Sequence, residues 1–274
     1  MEVSEHITYY VDGVFQPSLY KGNAHISNVE MTQMGEPASR FSMTTVKAAI
    51  KFEKTAHKTS SVRSCSFHHC QTTIVLNNAK NINIESNLLY KTKHLGLWLS
   101  GKNITGINNM VVNFKSAIMP KTGAIHFGSR LSVNNNFISS ASTFGYFYPG
   151  EDSLSEANYV NNTVYASDIG VLVFGQSTGT VTRISNFMAA HCSFGIYYGA
   201  GGSFLGESNI LVGNSKAMFS FSAGPSAESH VFGNQRHTYT NNLIVGNSNL
   251  FPCGQNNKIG ILWPVFSSAS PDKP

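Results

Sequence analysis

A recurring signature limits the architectures open to this chain: a small or polar residue is followed by Asn and then by an apolar residue. The signature occurs at Asn28, Asn87, Asn109, Asn136, Asn162, Asn186, Asn209 and Asn242, and Cys65 fills the same place in Ser64-Cys65-Ser66. From Cys65 onward the intervals are 22, 22, 27, 26, 24, 23 and 33 residues. Intervals of this length are typical of repeat architectures, in which each unit is one coil of a solenoid.

A second element repeats in each unit, about eight or nine residues after the signature, as a short apolar strand usually led by glycine. These strands are residues 73–76, 96–99, 145–148, 170–173, 195–198 and 217–220, with a delayed one at 123–127. No apolar stripe of helical period and length accompanies them. The sequence therefore predicts an all-β fold: a right-handed parallel β-helix with coils of about 22–27 residues, an asparagine ladder and a C-terminal cap.

Stacking of the coils explains why asparagine recurs. Asn tolerates the left-handed backbone of a tight corner, and coils stacked ~4.8 Å apart place equivalent amides within hydrogen-bonding reach. We therefore predict a structural ladder rather than a binding role for these side chains. Its predicted members are Asn87, Asn109, Asn136, Asn162, Asn186, Asn209 and Asn242.

The pattern divides the chain into three parts. Residues 1–60 are predicted to form irregular N-terminal coils or a cap, residues 61–250 the β-helix repeats, and residues 251–274 a C-terminal cap and tail. Charged residues make up only 12% of the chain, and the net charge is +5 without a run of like charges. This composition suits polar, uncharged turns and gives no indication of a nucleic-acid partner.

Cysteines and sequons add weaker signals. The four cysteines lack zinc spacing, and two alternatives stay open: a local disulfide between Cys65 and Cys70, or free buried thiols. We predict no metal site and no cofactor. Asn103 and Asn161 begin Asn-X-Thr sequons and are candidate N-glycosylation sites. No basic and apolar leader opens the sequence, and we expect the chain to be a piece of a longer secreted or membrane-anchored protein.

A resemblance to a known family is carried by several stretches. They are residues 64–70 (SCSFHHC), 87–98 (NLLYKTKHLGLW), 239–248 (YTNNLIVGNS), 251–253 (FPC) and 259–264 (IGILWP). Together they resemble the parallel β-helix region of the fibrocystin and fibrocystin-L family, to which the β-helix of cell-surface hyaluronidases is related. The resemblance covers residues 62–266. It implies a segment of a large single-pass ectodomain on the extracellular face of cilia or other cell surfaces, with other domains or extracellular proteins as partners.

Enzymatic chemistry on such a scaffold would need paired carboxylates, about 5 to 9.5 Å apart for glycoside hydrolysis. Asp168 lies six residues after Asn162, and the equivalent positions of neighbouring coils are interpreted as Ser142 and Cys192. The acidic residues between 151 and 156 follow Pro149-Gly150 and are interpreted as a solvated corner. The absence of stacked carboxylates therefore argues against a carbohydrate-active enzyme, which stays an alternative.

Lysines supply the alternative of glycan binding. Lys93 and Lys115 hold equivalent positions in adjacent coils, and a basic patch for anionic glycans is predicted from Lys91, Lys93, Lys102, Lys115 and Lys121. An ordinary solvated lysine face is the competing interpretation. We predict a non-catalytic structural or recognition segment, without direct membrane insertion, because no stretch reaches eighteen apolar residues.

The aromatic residues of the glycine-led strands allow a second candidate binding surface. Alternate residues of a strand face opposite sides of its sheet. If Trp98, Phe147 and Tyr197 fill the core, then Tyr146, Tyr148 and Tyr198 line an outer sheet, where they could stack on sugar rings.

Overall fold

A computed structural model describes residues 2–4, 8–11, 14–17, 23–36, 47–53, 59–115, 123–127, 131–148, 158–174, 181–199, 203–220, 237–246 and 259–262. Throughout these ranges the regular structure is β-strand, with no helix. The strands are β1 (Glu2–Ser4), β2 (Thr8–Val11), β3 (Val14–Pro17), β4 (His25–Ser27), β5 (Glu30–Thr32), β6 (Ile50–Glu53), β7 (Ser60–Arg63), β8 (Ser66–His68), β9 (Thr72–Glu85), β10 (Leu88–Tyr90), β11 (Leu95–Ile107), β12 (Met110–Val112), β13 (Gly123–Phe127), β14 (Ser132–Asn134), β15 (Phe137–Ser139), β16 (Phe144–Tyr148), β17 (Asn158–Val160), β18 (Thr163–Tyr165), β19 (Ile169–Phe174), β20 (Val181–Ser185), β21 (Met188–Ala190), β22 (Phe194–Gly199), β23 (Ser203–Glu207), β24 (Ile210–Val212), β25 (Lys216–Ser220), β26 (His237–Thr240), β27 (Leu243–Val245) and β28 (Ile259–Leu262).

Apart from β2 and β3, which form a separate antiparallel pair, the strands stack in parallel as a β-solenoid, which confirms the predicted fold class. A nine-stranded sheet contains the three-residue strands β5, β8, β10, β12, β15, β18, β21, β24 and β27, one for each successive coil. A 17-stranded sheet contains the glycine-led strands and the strands that precede each signature. The register follows the sequence repeat: Leu88 pairs with Met110, and Met110 with Phe137.

Each three-residue strand is flanked by two tight turns. We call the turn before it the first corner and the turn after it the second corner. Both corners contain a residue with left-handed backbone: Ser86 (φ 56°) before β10 and Lys91 (φ 52°) after it. The residues at this point of the first corner are Asn28, Ser64, Ser86, Asn108, Asn135, Asn161, Asn186, Ser208 and Asn241, and those of the second are Gln33, His69, Lys91, Asn113, Ser140, Ala166, His191 and Gly213.

A continuous apolar core fills the interior. The middle residue of each short strand from β8 to β24 is buried, as Leu89, Val111 and Ile138 show. Glycine leads the facing strands because adjacent coils approach closely there: a Cβ on Gly96 would lie 2.2 Å from the carbonyl oxygen of Ala124.

The assignment of aromatic residues to the two sides of the glycine-led strands is opposite to the arrangement considered from sequence. Tyr146, Tyr148 and Tyr198 are each 1% exposed and belong to the main core. Phe147 and Tyr197 belong to a separate apolar cluster on the other side of these strands. Because side chains alternate along a strand, a shift of one residue exchanges the two sides completely. No outer tyrosine strip for sugar stacking is present on the described part of these strands.

Parallel pairing extends past both ends of the predicted 61–250 repeat. Strand β1 pairs with β6, β4 with β7, and β28 with β25. The outer face of the nine-stranded sheet exposes an apolar column that includes Leu88, Met110, Met188, Ile210 and Leu243. Within the described ranges we find no helix with the length and apolar character needed to cross a membrane.

Candidate functional site

The first corner contains a chain of hydrogen bonds between asparagine side chains. The Asn87 backbone N and Nδ2 both donate to Asn109 Oδ1, at 3.1 and 2.9 Å. Asn109 repeats these bonds to Asn136, and Asn136 repeats them to Asn162. Each Nδ2 also donates to a backbone carbonyl, as Asn136 does to Gly106 at 2.8 Å. All four side chains are buried, so the amides satisfy backbone groups that water cannot reach.

The ladder continues at the C-terminal end of the described coils. The Asn209 backbone N and Nδ2 donate to Asn242 Oδ1 at 3.0 and 2.9 Å. At the N-terminal end the Cys65 backbone N donates to Asn87 Oδ1 at 3.0 Å, so Cys65 occupies the ladder position without an amide of its own.

The assignment of Asn186 to the ladder is wrong by one residue. Asn186 has left-handed backbone (φ 51°), and its side chain is exposed. Phe187 occupies the ladder position: it is 3% exposed, and its backbone N donates to Asn209 Oδ1 at 2.9 Å. The left-handed residue and the ladder residue are neighbours, and both positions favour Asn for different reasons, so the residue type alone does not identify the register.

The local disulfide is also excluded. Cys65 and Cys70 are free and buried. They lie at opposite corners, separated by the extended strand β8, and a separation of more than ~10 Å exceeds the ~7 Å limit for bridging Cα atoms. Their thiols instead face backbone carbonyls, Cys65 Sγ that of Arg63 at 3.2 Å and Cys70 Sγ that of His68 at 3.6 Å. Cys192 is free as well, and Cys253 lies outside the described residues.

The second corner has a buried position of its own, but its occupants differ in size and chemistry. They are Cys70, Thr92, Phe114, Ala141, Ser167, Cys192 and Asn214. Among the described residues, side-chain links between adjacent coils are isolated here: the Ala141 backbone N donates to Ser167 Oγ at 3.1 Å, the Cys192 backbone N to Asn214 Oδ1 at 2.8 Å, and Asn214 Nδ2 to Ala189 O at 2.9 Å. Burial raises the pKa of the Cys192 thiol to about 11, with a smaller contribution in the same direction from the Asp168 charge.

A cleft of about 420 Å³ opens along the second corner where these residues are small. Its lining contains one carboxylate, one imidazole and several hydroxyl groups. The lining residues are Ala141, Ser142, Ala166, Ser167, Asp168, His191, Cys192, Ser193 and Ser215. The cleft is the best candidate binding site in the described part of the chain, and sequence reasoning missed it. The signal was present as a run of Ser, Asp, Ser and Ser at equivalent positions of four coils.

Asp168 lies on one side of this cleft, between serines. The prediction that Cys192 is the equivalent of Asp168 in the adjacent coil is wrong, by the same shift of one residue that affected Asn186. The Asp168 carbonyl accepts from the Phe194 backbone N, and the Ser215 backbone N donates to Cys192, so Ser193 is the equivalent residue in the next coil. Ser142 occupies the equivalent position on the other side, since Asp168 N donates to Ala141 O. Neither adjacent coil therefore places a second carboxylate beside Asp168.

The other carboxylates of the described coils belong to glutamates, four of which contact a lysine or an arginine. Glu85 contacts Arg63 of the adjacent coil at 3.3 Å, and Glu53 contacts Lys51 at 3.0 Å. Further contacts join Glu36 to Lys47, Glu207 to Arg183 and, at 3.9 Å, Glu30 to His68. Asp12, Asp152 and Asp272, together with Glu151 and Glu156, lie outside the described residues.

The five lysines proposed as one patch are not brought together. Lys93 and Lys115 pair in register at the second corner, with Lys91 beside them. Lys102 instead pairs with Lys80, beyond the glycine-led part of β11. This part of the strand separates the two lysine pairs by ~16 Å, and such a distance exceeds the Debye length at physiological salt. Lys121 lies outside the described residues.

The two sequon asparagines, Asn103 and Asn161, are exposed, and the Asn103 Nδ2 donates to Asn81 Oδ1 at 2.7 Å. Their glycosylation stays a prediction. Among the described residues no three potential metal ligands lie together. His126 is buried and stacked on Trp98 with ring centroids 3.5 Å apart, and burial lowers its pKa to about 3.

Comparison with known proteins confirms the resemblance seen in the sequence. The chain is 27% identical to mouse fibrocystin-L and 25% identical to human fibrocystin-L, in both cases across 93% of its length. It is 22% identical to mouse fibrocystin across 91% of its length. The chain spans only about 7% of the length of these curated relatives. No protein-family model matches the chain.

Proposed function

We propose that this chain is a non-catalytic structural and recognition segment from the extracellular part of a fibrocystin-like cell-surface protein. The observation that carries the proposal is the asparagine ladder, which continues unbroken from Asn87 to Asn162 inside a parallel β-solenoid. Such a ladder fixes the coils in register and makes a rigid scaffold. The similarity to fibrocystin-L and fibrocystin over more than nine-tenths of the chain supports the cellular setting.

The distribution of carboxylates supports the non-catalytic part of the proposal. Glycoside hydrolysis uses two carboxyl groups that flank one bond. Asp168 has serines at the equivalent positions of both adjacent coils, and the glutamates described above are close to cations. The described residues therefore offer no carboxylate pair along this face.

The test is incubation of the purified chain with size-defined hyaluronan, heparan sulfate and pectin, following both retention and polymer length. A structural segment leaves all three polymers at their original length. Shortened polymer would contradict the proposal and identify an enzyme instead. Retention without shortening would assign a glycan-binding surface to the same scaffold.

The lysine pairs allow the glycan-binding alternative to be located. Retention of polyanions through the second corner should be lost in Lys93→Glu/Lys115→Glu at low salt. The matched control is Lys80→Glu/Lys102→Glu, which makes the same charge change at the other end of the glycine-led strands. Equal loss in both variants would indicate attraction by net charge rather than by a particular corner.

A further inference from the structure

From the second-corner cleft we infer a binding site for a neutral oligosaccharide, with Asp168 as the residue that accepts hydrogen bonds from sugar hydroxyl groups. The inference goes beyond the structural role and does not depend on the lysine pairs. The cleft has a volume of about 420 Å³. Ligand pockets in proteins generally have volumes of roughly 300–1,000 Å³, so the space suits one or two sugar rings.

Asp168 is the acceptor in the proposed site. Its carboxylate is exposed to the cleft and makes no ion pair or side-chain hydrogen bond with another described residue. Glu36, Glu53, Glu85 and Glu207 all contact a lysine or arginine within 4 Å. A carboxylate accepts hydrogen bonds at two oxygens, and its bonds to hydroxyl donors are stronger than bonds between neutral groups. Asp168 is therefore a ready acceptor for a pair of hydroxyl groups.

Serine hydroxyl groups lie in a row with Asp168. Ser142, Ser193 and Ser215 occupy the equivalent position in the other coils of the cleft. Successive coils are ~4.8 Å apart, so the four residues form a row of about 14 Å along the solenoid axis. Serine hydroxyls both donate and accept, as sugar hydroxyls do. A row of this kind matches a linear ligand with a hydroxyl group at each step.

The lining of the cleft also has an apolar part. Ala166 is exposed at the cleft, buried Ala141 lies behind it, and the His191 ring forms an edge contact with Tyr165 with centroids 5.2 Å apart. His191 is held beside Gly213, where a Cβ would lie 3.0 Å from the imidazole Nδ1. Sugars combine hydroxyl edges with C–H faces, and this lining offers partners for both.

The charge of the lining selects against other ligands. Asp168 is the only acidic residue of the lining, and the lining contains no lysine or arginine, so a uronic acid or sulfated sugar is repelled where it would have to approach Asp168. An ammonium group would be attracted to Asp168, but it only donates hydrogen bonds and offers no acceptor to a hydroxyl donor. A neutral, polyhydroxylated ligand satisfies the whole lining.

The test uses the full chain with alanine methyl groups labelled for NMR and three sets of probes. The probes are neutral hexasaccharides from β-glucan, mannan and chitin, a hyaluronan hexasaccharide, and a lysine-containing peptide. At least one neutral hexasaccharide should shift the methyl signal of the exposed Ala166 and leave those of the core residues Ala79 and Ala189 unchanged. No response to any neutral probe at millimolar concentration, or stronger binding of the anionic or cationic probe, would overturn the inference.

Variants then locate the interaction. Asp168→Asn should weaken binding of the responding saccharide at least tenfold and leave the unfolding temperature unchanged, because the carboxylate makes no contact that the fold needs. Lys80→Glu/Lys102→Glu, at the other end of the glycine-led strands, serves as the control and should bind the neutral saccharide as the wild type does. Unaltered affinity in Asp168→Asn would refute the assignment. Shortening of polymers in the previous experiment would remove the non-catalytic role but leave these outcomes unaffected, so the two proposals fail separately.

Discussion

The first and second corners of the same coils are built on the same backbone and differ in what their buried position holds. At the first corner, Asn87, Asn109, Asn136 and Asn162 bond to one another without interruption. At the second, the sequence Phe114, Ala141, Ser167, Cys192 gives only scattered links between coils. A uniform row of amides fills its space and fixes the register, whereas a mixed row of small residues leaves a cleft beside it. The first corner fixes the register of the coils, and the second leaves the space in which we propose a binding site.

The largest expected effect is a difference in unfolding free energy between a variant of the first corner and a variant of the second. Asn136→Leu removes the amide that joins Asn109 to Asn162 and leaves the Gly106 carbonyl without its donor. Several buried groups lose partners at ~1–3 kcal/mol each, so we expect a loss of about 3 to 5 kcal/mol of unfolding free energy. Ser167→Ala, the second-corner match, breaks the bond from Ala141 N and should cost about 1 kcal/mol. Urea denaturation of both variants measures the difference, and equal losses would show that the corners contribute alike.

A smaller effect is expected where the ladder is interrupted. Phe187→Asn offers Asn162 a side-chain acceptor in the next coil but removes a ring that packs against Tyr146, with centroids 6.2 Å apart. Phe187→Ala removes the ring and supplies no amide. Because truncating a buried Phe costs ~3–5 kcal/mol and each regained hydrogen bond returns ~1 kcal/mol, Phe187→Asn should lose about 1 to 3 kcal/mol. Thermal unfolding at one pH compares the pair. A Phe187→Asn protein no more stable than Phe187→Ala would show that an amide at this position cannot join the ladder.

The smallest effect concerns the thiol at the second corner. Cys192→Ala should change the unfolding free energy by less than about 1 kcal/mol at pH 7, because the side chains are similar in size and the thiol is protonated in both states. The folded-state pKa of about 11 lies above the ordinary value of 9.0. The wild type therefore loses stability as the pH rises from 9 to 11, when the unfolded thiol ionises first, by up to about 2 to 3 kcal/mol.

Cys192→Ala should lack this component of the alkaline loss, and the difference between the two proteins isolates it from the titration of lysines and tyrosines. Parallel curves for the two proteins across pH 9 to 11 would show that the thiol ionises in the cleft as it does in water.

The sequence was sufficient for the architecture because the repeat interval is a long-range signal. Parallel stacking follows from the interval whichever residue marks it, and Leu88, Met110 and Phe137 pair as the interval requires. The local register was harder to obtain. Asn186 and Phe187 could not be distinguished by residue type, because a left-handed turn residue and a ladder residue both favour Asn. The same shift of one residue placed Cys192 where Ser193 lies.

The binding surfaces depended on information that the repeat does not contain. Lys93 and Lys102 are nine positions apart in sequence, but the glycine-led part of β11 lies between them, so they belong to opposite ends of these strands. The side that Tyr146 faces is decided by the parity of one strand, which composition does not fix. The cleft arises from what is absent at Ala141 and Ala166, namely side-chain volume, and small residues carry little signal until their neighbours are known.

The interruption at Phe187 has a mechanical consequence. In a parallel solenoid the hydrogen bonds between coils run along the long axis, so tension between the two ends loads the coils in series. Under such a load the weakest junction opens first and limits the force that the whole rod transmits. Between Asn162 and Phe187 the coils lack the amide link that joins Asn87 to Asn109. Under tension this rod is therefore expected to part between these coils, with intact ladder segments on both sides.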